Sequence, residues 1–271
     1  MRLAISNLAW PMEHDLAVAD RLAEFGFDAV EIAPTKIWPR PLETSQRDAL
    51  TCRRFWETHG VPIVALQSLL FERPNLRIFA DPVQRREAAA YLAGMIRLGG
   101  WLGATSLVFG SPRNRQIAPR TANQVDPEAV EFFRELGDAA AAAGTCLCIE
   151  PNPPEYGCDF VTNARDGIAL VRNVAHPAVG LHLDTACMAL AGDDPSATFP
   201  AAAPWLRHMH VSEPHLRPVG ESGFDHAPFG AAVRGIRFAG AVSIEMKPGS
   251  ESFSLDGIEL AAACARLHYL V

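Results

Sequence analysis

The sequence predicts an α/β protein: a single closed (β/α)8 barrel, the TIM-barrel architecture, spanning residues 1–271. Three observations lead there. Short apolar runs alternate with longer helix-like stretches from one end of the chain to the other, which means a parallel sheet with right-handed crossovers. Eight such units fit in 271 residues, close to the roughly 250 that one barrel needs. No composition shift or low-complexity linker breaks the series, so the chain reads as one domain. An open doubly wound sheet is the alternative. It usually carries a glycine-rich phosphate loop after its first strand, and GxGxxG is absent here.

The strand-like runs are, in order, RLAISN (2–7), AVEIA (29–33), PIVALQS (62–68), SLVFGS (106–111), CLCIEP (146–151), VGLHLDT (179–185), HMHVSE (208–213) and AVSIEMK (241–247). Among the connecting stretches, residues 12–27 place Leu16, Ala19, Leu22, Ala23 and Phe25 at helical spacing before a glycine. Residues 81–103 open on Asp81-Pro82, a cap followed by proline at the first helical position, and residues 126–144 repeat that start at Asp126-Pro127.

The totals exclude several classes. The formal net charge is −7 and no stretch concentrates Lys and Arg, which argues against nucleic acid as a partner. No apolar run approaches the roughly 20 residues needed to cross a bilayer, and the N-terminus lacks a signal-peptide layout. The six cysteines form no CxxC pair and read as reduced thiols in a cytoplasmic protein. A GxSxG nucleophile elbow is absent as well, because ATSLVFG (104–110) lacks the glycine before serine.

Four consecutive predicted strands end on a polar side chain: Glu150, Asp184, His210 and Glu245. In a barrel the C-terminal strand ends converge on one mouth. Asp184 shows why this matters, since an ionised carboxylate closing the run Val179, Leu181, Leu183 is costly unless it is paired or bound to a cation. Three carboxylates and one imidazole suit a single divalent ion, Mn2+ or Mg2+ first, with Zn2+ or Co2+ as alternatives. Without a cation the clustered charges would raise one another's pKa.

These segments (IEP at 149–151, LHLDT at 181–185, HMHVSE at 208–213, SIEM at 243–246) resemble the xylose isomerase-like TIM barrels, the sugar phosphate isomerase/epimerase group that includes D-tagatose 3-epimerase-like enzymes. The resemblance covers nearly the whole chain. It implies that Glu150, Asp184, His210 and Glu245 bind one divalent metal, and that Glu150 and Glu245 are also the acid/base catalysts. It also implies a small-molecule carbohydrate substrate and proton transfer next to a carbonyl through an enediolate, with a metal ion as Lewis acid. Two bases on opposite faces give epimerisation, whereas one base shuttling a proton between adjacent carbons gives isomerisation. Elimination of water, as in inosose dehydratases, is the first alternative. An endonuclease IV-like enzyme is a weaker one: its extra histidine positions here read Gln67, Phe109–Gly110 and Cys187. A non-catalytic sugar-binding barrel is a third, and a homo-oligomer is left open.

Further substrate-binding candidates are Asn7 and Gln67, ending strands one and three, and Lys247, two residues past Glu245 on the same side of its strand. The resemblance adds Glu155, about one residue out of register, and Arg217, whose register is also imperfect. It also highlights Cys187, which stands where the epimerases have a substrate-binding histidine. His226 after strand seven and His182, one layer below Asp184, complete the set; His182 and His208 also read as core histidines. Arg113 and Arg115 suit either an anion or a solvated face, and Trp10 and Trp38 either a sugar face or the core.

Overall fold

The computed structural model describes residues 1–249 and 253–270. Eight parallel strands close in chain order: β1 (Arg2–Ser6), β2 (Ala29–Ile32), β3 (Ile63–Leu66), β4 (Ser106–Phe109), β5 (Cys146–Ile149), β6 (Val179–Asp184), β7 (Leu206–Val211) and β8 (Ala241–Ile244). β1 pairs with both β2 and β8, so the sheet has no free edge. Around it lie α1 (Asp15–Leu22), α2 (Pro34–Ile37), α3 (Gln46–Thr58), α4 (Pro82–Leu102), α5 (Ala122–Ala143), α6 (Ala164–Val174), α7 (Thr185–Ala191), α8 (Pro195–Ala202), α9 (Ala227–Gly235) and α10 (Leu255–Ala265).

Strand alternation sorts the side chains into two compartments. Leu3, Ile5, Val30, Ile32, Leu147, Ile149, Leu181, Leu183, Met209, Val211, Val242 and Ile244 pack outward against the helices in the main core. The alternate positions point into the barrel. At its floor they are small, with Ala4, Ala29, Ala65 and Ala241 in a separate cluster. Towards the C-terminal mouth the inner face turns polar, and this switch makes room for a site.

Two helix starts differ from the sequence expectation. α4 begins at Asp81 as expected, the Asp81 carboxylate accepting from the Val83 and Gln84 amides at 2.7 and 3.0 Å. Such a cap contributes about 1 kcal/mol. α5, however, begins at Ala122 rather than after Asp126. The Gln124 side chain accepts from the Thr121 amide at 2.8 Å, so the helix start is fixed before Pro127 is reached. α1 is also shorter than the pattern over residues 12–27 and buries Val18, Ala19 and Leu22, while Leu16 is exposed. Leu16 lies two residues, over half a turn, from the Val18–Leu22 row. β7 starts and ends two residues earlier than expected, leaving Ser212 and Glu213 beyond it.

Candidate active site

The four polar strand ends meet. Asp184 closes β6, His210 is the penultimate residue of β7, and Glu150 and Glu245 each follow directly on β5 and β8. Backbone pairing sets Asp184 beside His210 and His210 beside Ser243, which brings their side chains to one level. Ligand atoms of Glu150, Asp184 and His210 lie within 4.8 Å of one another. The Oε2 of Glu245 is 3.4 Å from Nδ1 of His210, and Oδ2 of Asp184 is 3.8 Å from it. All four line a cavity of about 440 Å3 at the mouth.

Electrostatics show a cluster that fits a cation. Burial, then the neighbouring Asp184, push the Glu150 carboxyl up to about 8. Asp184 is raised too, by burial and by Glu245. Nδ1 of His210 is buried without a hydrogen-bond partner, an orphan that a metal ligand explains. Oxygen donors with one imidazole form a donor set suited to Mn2+ or Mg2+, and Zn2+ accepts the same ligands.

A second layer orients these groups. Glu31, fully buried inside β2, accepts from Nε2 of His210 at 2.9 Å and meets Nε2 of His208 at 3.3 Å. Burial alone would raise its carboxyl, but His210 and His208 hold it well below the ordinary range. A proton on Nε2 leaves Nδ1 free to face the cluster. Ser212 Oγ donates to Asp184 Oδ2 at 2.5 Å, and Asp184 Oδ1 caps α7 by accepting from the Cys187 amide at 2.7 Å. Gly110 also lines the cavity, and a Cβ at this position would collide with Glu150 Oε2.

The sequence profile of the xylose isomerase-like TIM barrel family matches residues 19–264. The chain belongs to that family. Its relatives include an L-ribulose 3-epimerase of Methylomonas sp. (strain DH-1), 24% identical over 224 residues, covering 82% of this chain and 75% of that protein. A ketose 3-epimerase of Arthrobacter globiformis is 24% identical over 252 residues, 90% of this chain and 83% of the other. Among solved structures, a D-psicose 3-epimerase crystallised in the presence of D-fructose superposes with a TM-score of 0.81 at 21% identity, covering 99% of both chains. The IolI protein with a bound zinc atom superposes with a TM-score of 0.78 at 19% identity over the full length of both. At these identities the superpositions show the fold.

Within this xylose isomerase-like barrel the remaining candidates divide. Gln67 and Lys247 line the cavity, as does Cys187. Five others do not line it, and of these His182 lies one layer below Asp184, where its place two residues earlier on the strand puts it. Asn7 is buried with its Oδ1 accepting from the Ala33 amide at 2.8 Å, so it ties β1 to the segment after β2. His182 lies fully buried one layer down, its Nε2 3.9 Å from Glu150 Oε1, and burial together with His210 and His208 holds it well below its usual pKa. His226 is buried between Tyr269 (Nδ1 to hydroxyl 2.8 Å) and Glu213 (Nε2 to Oε1 3.4 Å). Glu155 and Arg217 are exposed and do not line the cavity, although their neighbours Tyr156 and Leu216 do.

Arg115 is buried rather than solvated and donates to Asn152 Oδ1 at 3.0 Å. Trp10 is core, its indole donating to Asp15 at 2.7 Å. Sequence reasoning passed over Asn152, Tyr156, Ser212 and His215, which line the cavity, and Glu31 beneath it. The Tyr156 hydroxyl accepts from the His215 amide at 3.1 Å, joining the loops after β5 and β7 across the mouth. Burial pushes that hydroxyl up to about 12, which keeps it protonated. Glu31 carried a readable signal, a charge within the apolar run AVEIA.

Proposed function

We propose that the chain is a divalent-metal-dependent epimerase or isomerase of sugars, acting by proton transfer at a carbon next to a carbonyl. The observation that carries this reading is the pair Glu150 and Glu245 at the two ends of one four-strand arc, with Asp184 and His210 between them, all facing one cavity. The named epimerase relatives support it over most of the chain. Glu150, Asp184, His210 and Glu245 would hold the ion, Mn2+ or Mg2+ by donor chemistry, and the zinc-bound IolI protein supports a divalent metal on this fold. When bound, the ion supplies Lewis-acid polarisation of the substrate's carbonyl and hydroxyl oxygens.

The chain's own residues do the rest. One of the two glutamates takes a proton from carbon on its side of the substrate, and the other delivers one from the opposite side. Gln67 and Lys247 bind hydroxyl oxygens at the rim, and the Tyr156–His215 hydrogen bond ties together the loops after β5 and β7 that wall the cavity. Six unpaired cysteines accord with a cytoplasmic setting. Among the described residues no helix is long and apolar enough to cross a membrane. Solvent-deuterium incorporation across a panel of ketoses and aldoses tests the reading. Deuterium bound to carbon without loss of mass supports it, loss of water assigns a dehydratase, and no exchange on any sugar overturns it.

A further inference from the structure

A second cavity, about 520 Å3, lies against the first and shares Ser68, Ser111 and Pro112 with it. Its own walls come from the loops after β3 and β4. Leu70, Phe71, Pro74 and Pro112 make it largely apolar, and the Phe71 ring is 56% exposed. The walls are preformed. Asn114 Nδ2 donates to the carbonyls of Arg73 and Leu76 at 2.8 and 3.0 Å, and the Asn114 carbonyl accepts from the Ile78 amide at 2.9 Å. Both serines on the shared ridge adopt left-handed backbone, Ser68 at φ 56° and Ser111 at φ 44°, as does Glu72 in the same pocket at φ 57°.

We infer that the two cavities form one substrate cleft, and that the substrate is a glycosylated keto sugar: a reacting ring over the carboxylate–histidine cluster, joined to a second sugar ring against Phe71 and Arg113. This rests on the epimerase reading of the first cavity. A pyranose has an apolar C–H face that stacks on an aromatic ring and hydroxyls around its edge. A mostly apolar pocket with a few polar groups matches that chemistry. Arg113 lines the pocket and is exposed, whereas Arg73 is engaged, its guanidinium 5.6 Å from the Tyr91 ring and bonded to the Glu72 carbonyl. Glu72 lines the same pocket with Arg73 and Arg113, so sugar hydroxyls find both donors and an acceptor there. The carbonyl must stay free for proton transfer. The second ring therefore joins through a hydroxyl remote from the reacting carbons, or through the anomeric carbon of a ring whose carbonyl lies elsewhere.

Equilibrium binding to the Mn2+-loaded protein tests this without turnover as the readout. The probes are isomaltulose against fructose, and 3-ketolactose against methyl 3-keto-galactoside. At least one two-ring probe should bind ten-fold or more tighter than its one-ring partner, and Phe71→Ala and Arg113→Ala should each remove most of that gain while leaving one-ring binding unchanged. Equal binding of both sizes, equal weakening of both by the variants, or tighter binding of fructose 6-phosphate than of any two-ring probe would overturn it. Solvent-deuterium exchange run beside it separates the two readings. Two-ring selectivity without exchange on any sugar defeats the epimerase reading alone, and exchange without two-ring selectivity defeats the extended cleft alone.

Discussion

Glu31→Gln isolates what a buried carboxylate does for His210, a histidine of the proposed metal site. The substitution keeps volume, so no cavity opens, and removes the charge that accepts from His210 Nε2 at 2.9 Å and lies 3.3 Å from His208 Nε2. A hydrogen bond involving a charged group contributes about 1.5–3 kcal/mol, and the 3.3 Å contact lies at the weak end. The glutamine carbonyl still accepts one bond, so the expected loss of folding stability is about 2 kcal/mol. The second consequence is specific to the ion. The glutamine NH2 can donate to Nε2 and so favour the His210 tautomer with a proton on Nδ1, the atom that must be bare to bind metal. Loss of such a partner typically weakens metal binding about 10–100-fold. Calorimetric titration of the metal-free protein with Mn2+ reads the affinity, and urea unfolding reads the stability. A folded Glu31→Gln protein whose Mn2+ affinity stays within about three-fold of wild type, against the expected range, would refute the positioning role.

Four further outcomes follow from the same geometry. Gly110→Ala should lower kcat/KM about 100-fold or more with little change in Tm, because the new methyl displaces Glu150 Oε2 in a site where a misplacement of about 1 Å is that costly; steady-state kinetics and a melting curve decide it. Ser212→Ala removes the 2.5 Å bond to Asp184 Oδ2, and calorimetry should show Mn2+ binding weakened about ten-fold, from a lost charge-assisted bond of at least about 1.5 kcal/mol. Mn2+ at about 100 times its Kd should add about 2.7 kcal/mol of stability, a rise in Tm of about 5–10 °C that chelation reverses. Glu128 links α5 to Arg85 on α4 and to Arg120, and the Arg120 side chain first of all holds its carboxyl below the ordinary value. Its contribution is therefore fully present above the unfolded carboxyl's pKa and is lost as pH falls through the lowered folded value. Glu128→Gln should flatten acid unfolding in that window.

How much of this was legible in the sequence depended on whether a residue's partners were local. The strand runs and the Asp81 cap are local patterns, and they were readable to within three residues. Glu150, Asp184, His210 and Glu245 were legible because four polar groups at equivalent strand ends have only one place to go in a barrel. Glu31 carries the same signal as Asp184, but it lies mid-strand on the far side of the barrel, and only closure of β2 against the inner face of β7 reveals its partners. Asn7 and His226 look like mouth residues by position. Their hydrogen bonds to Ala33, Tyr269 and Glu213 depend on long-range packing that no periodicity encodes. Glu155 and Arg217 sit in short turns, where a one-residue offset redirects a side chain completely.

The most direct test of the central claim combines metal counting with proton exchange. Protein dialysed against excess Mn2+ is assayed for bound metal and for solvent deuterium entering a ketose panel. The account predicts one ion per chain, carbon-bound deuterium only in the loaded protein, and loss of exchange in Glu150→Gln and Glu245→Gln. A fully loaded wild-type protein that leaves every sugar unlabelled, or exchange that persists in both glutamine variants, contradicts it.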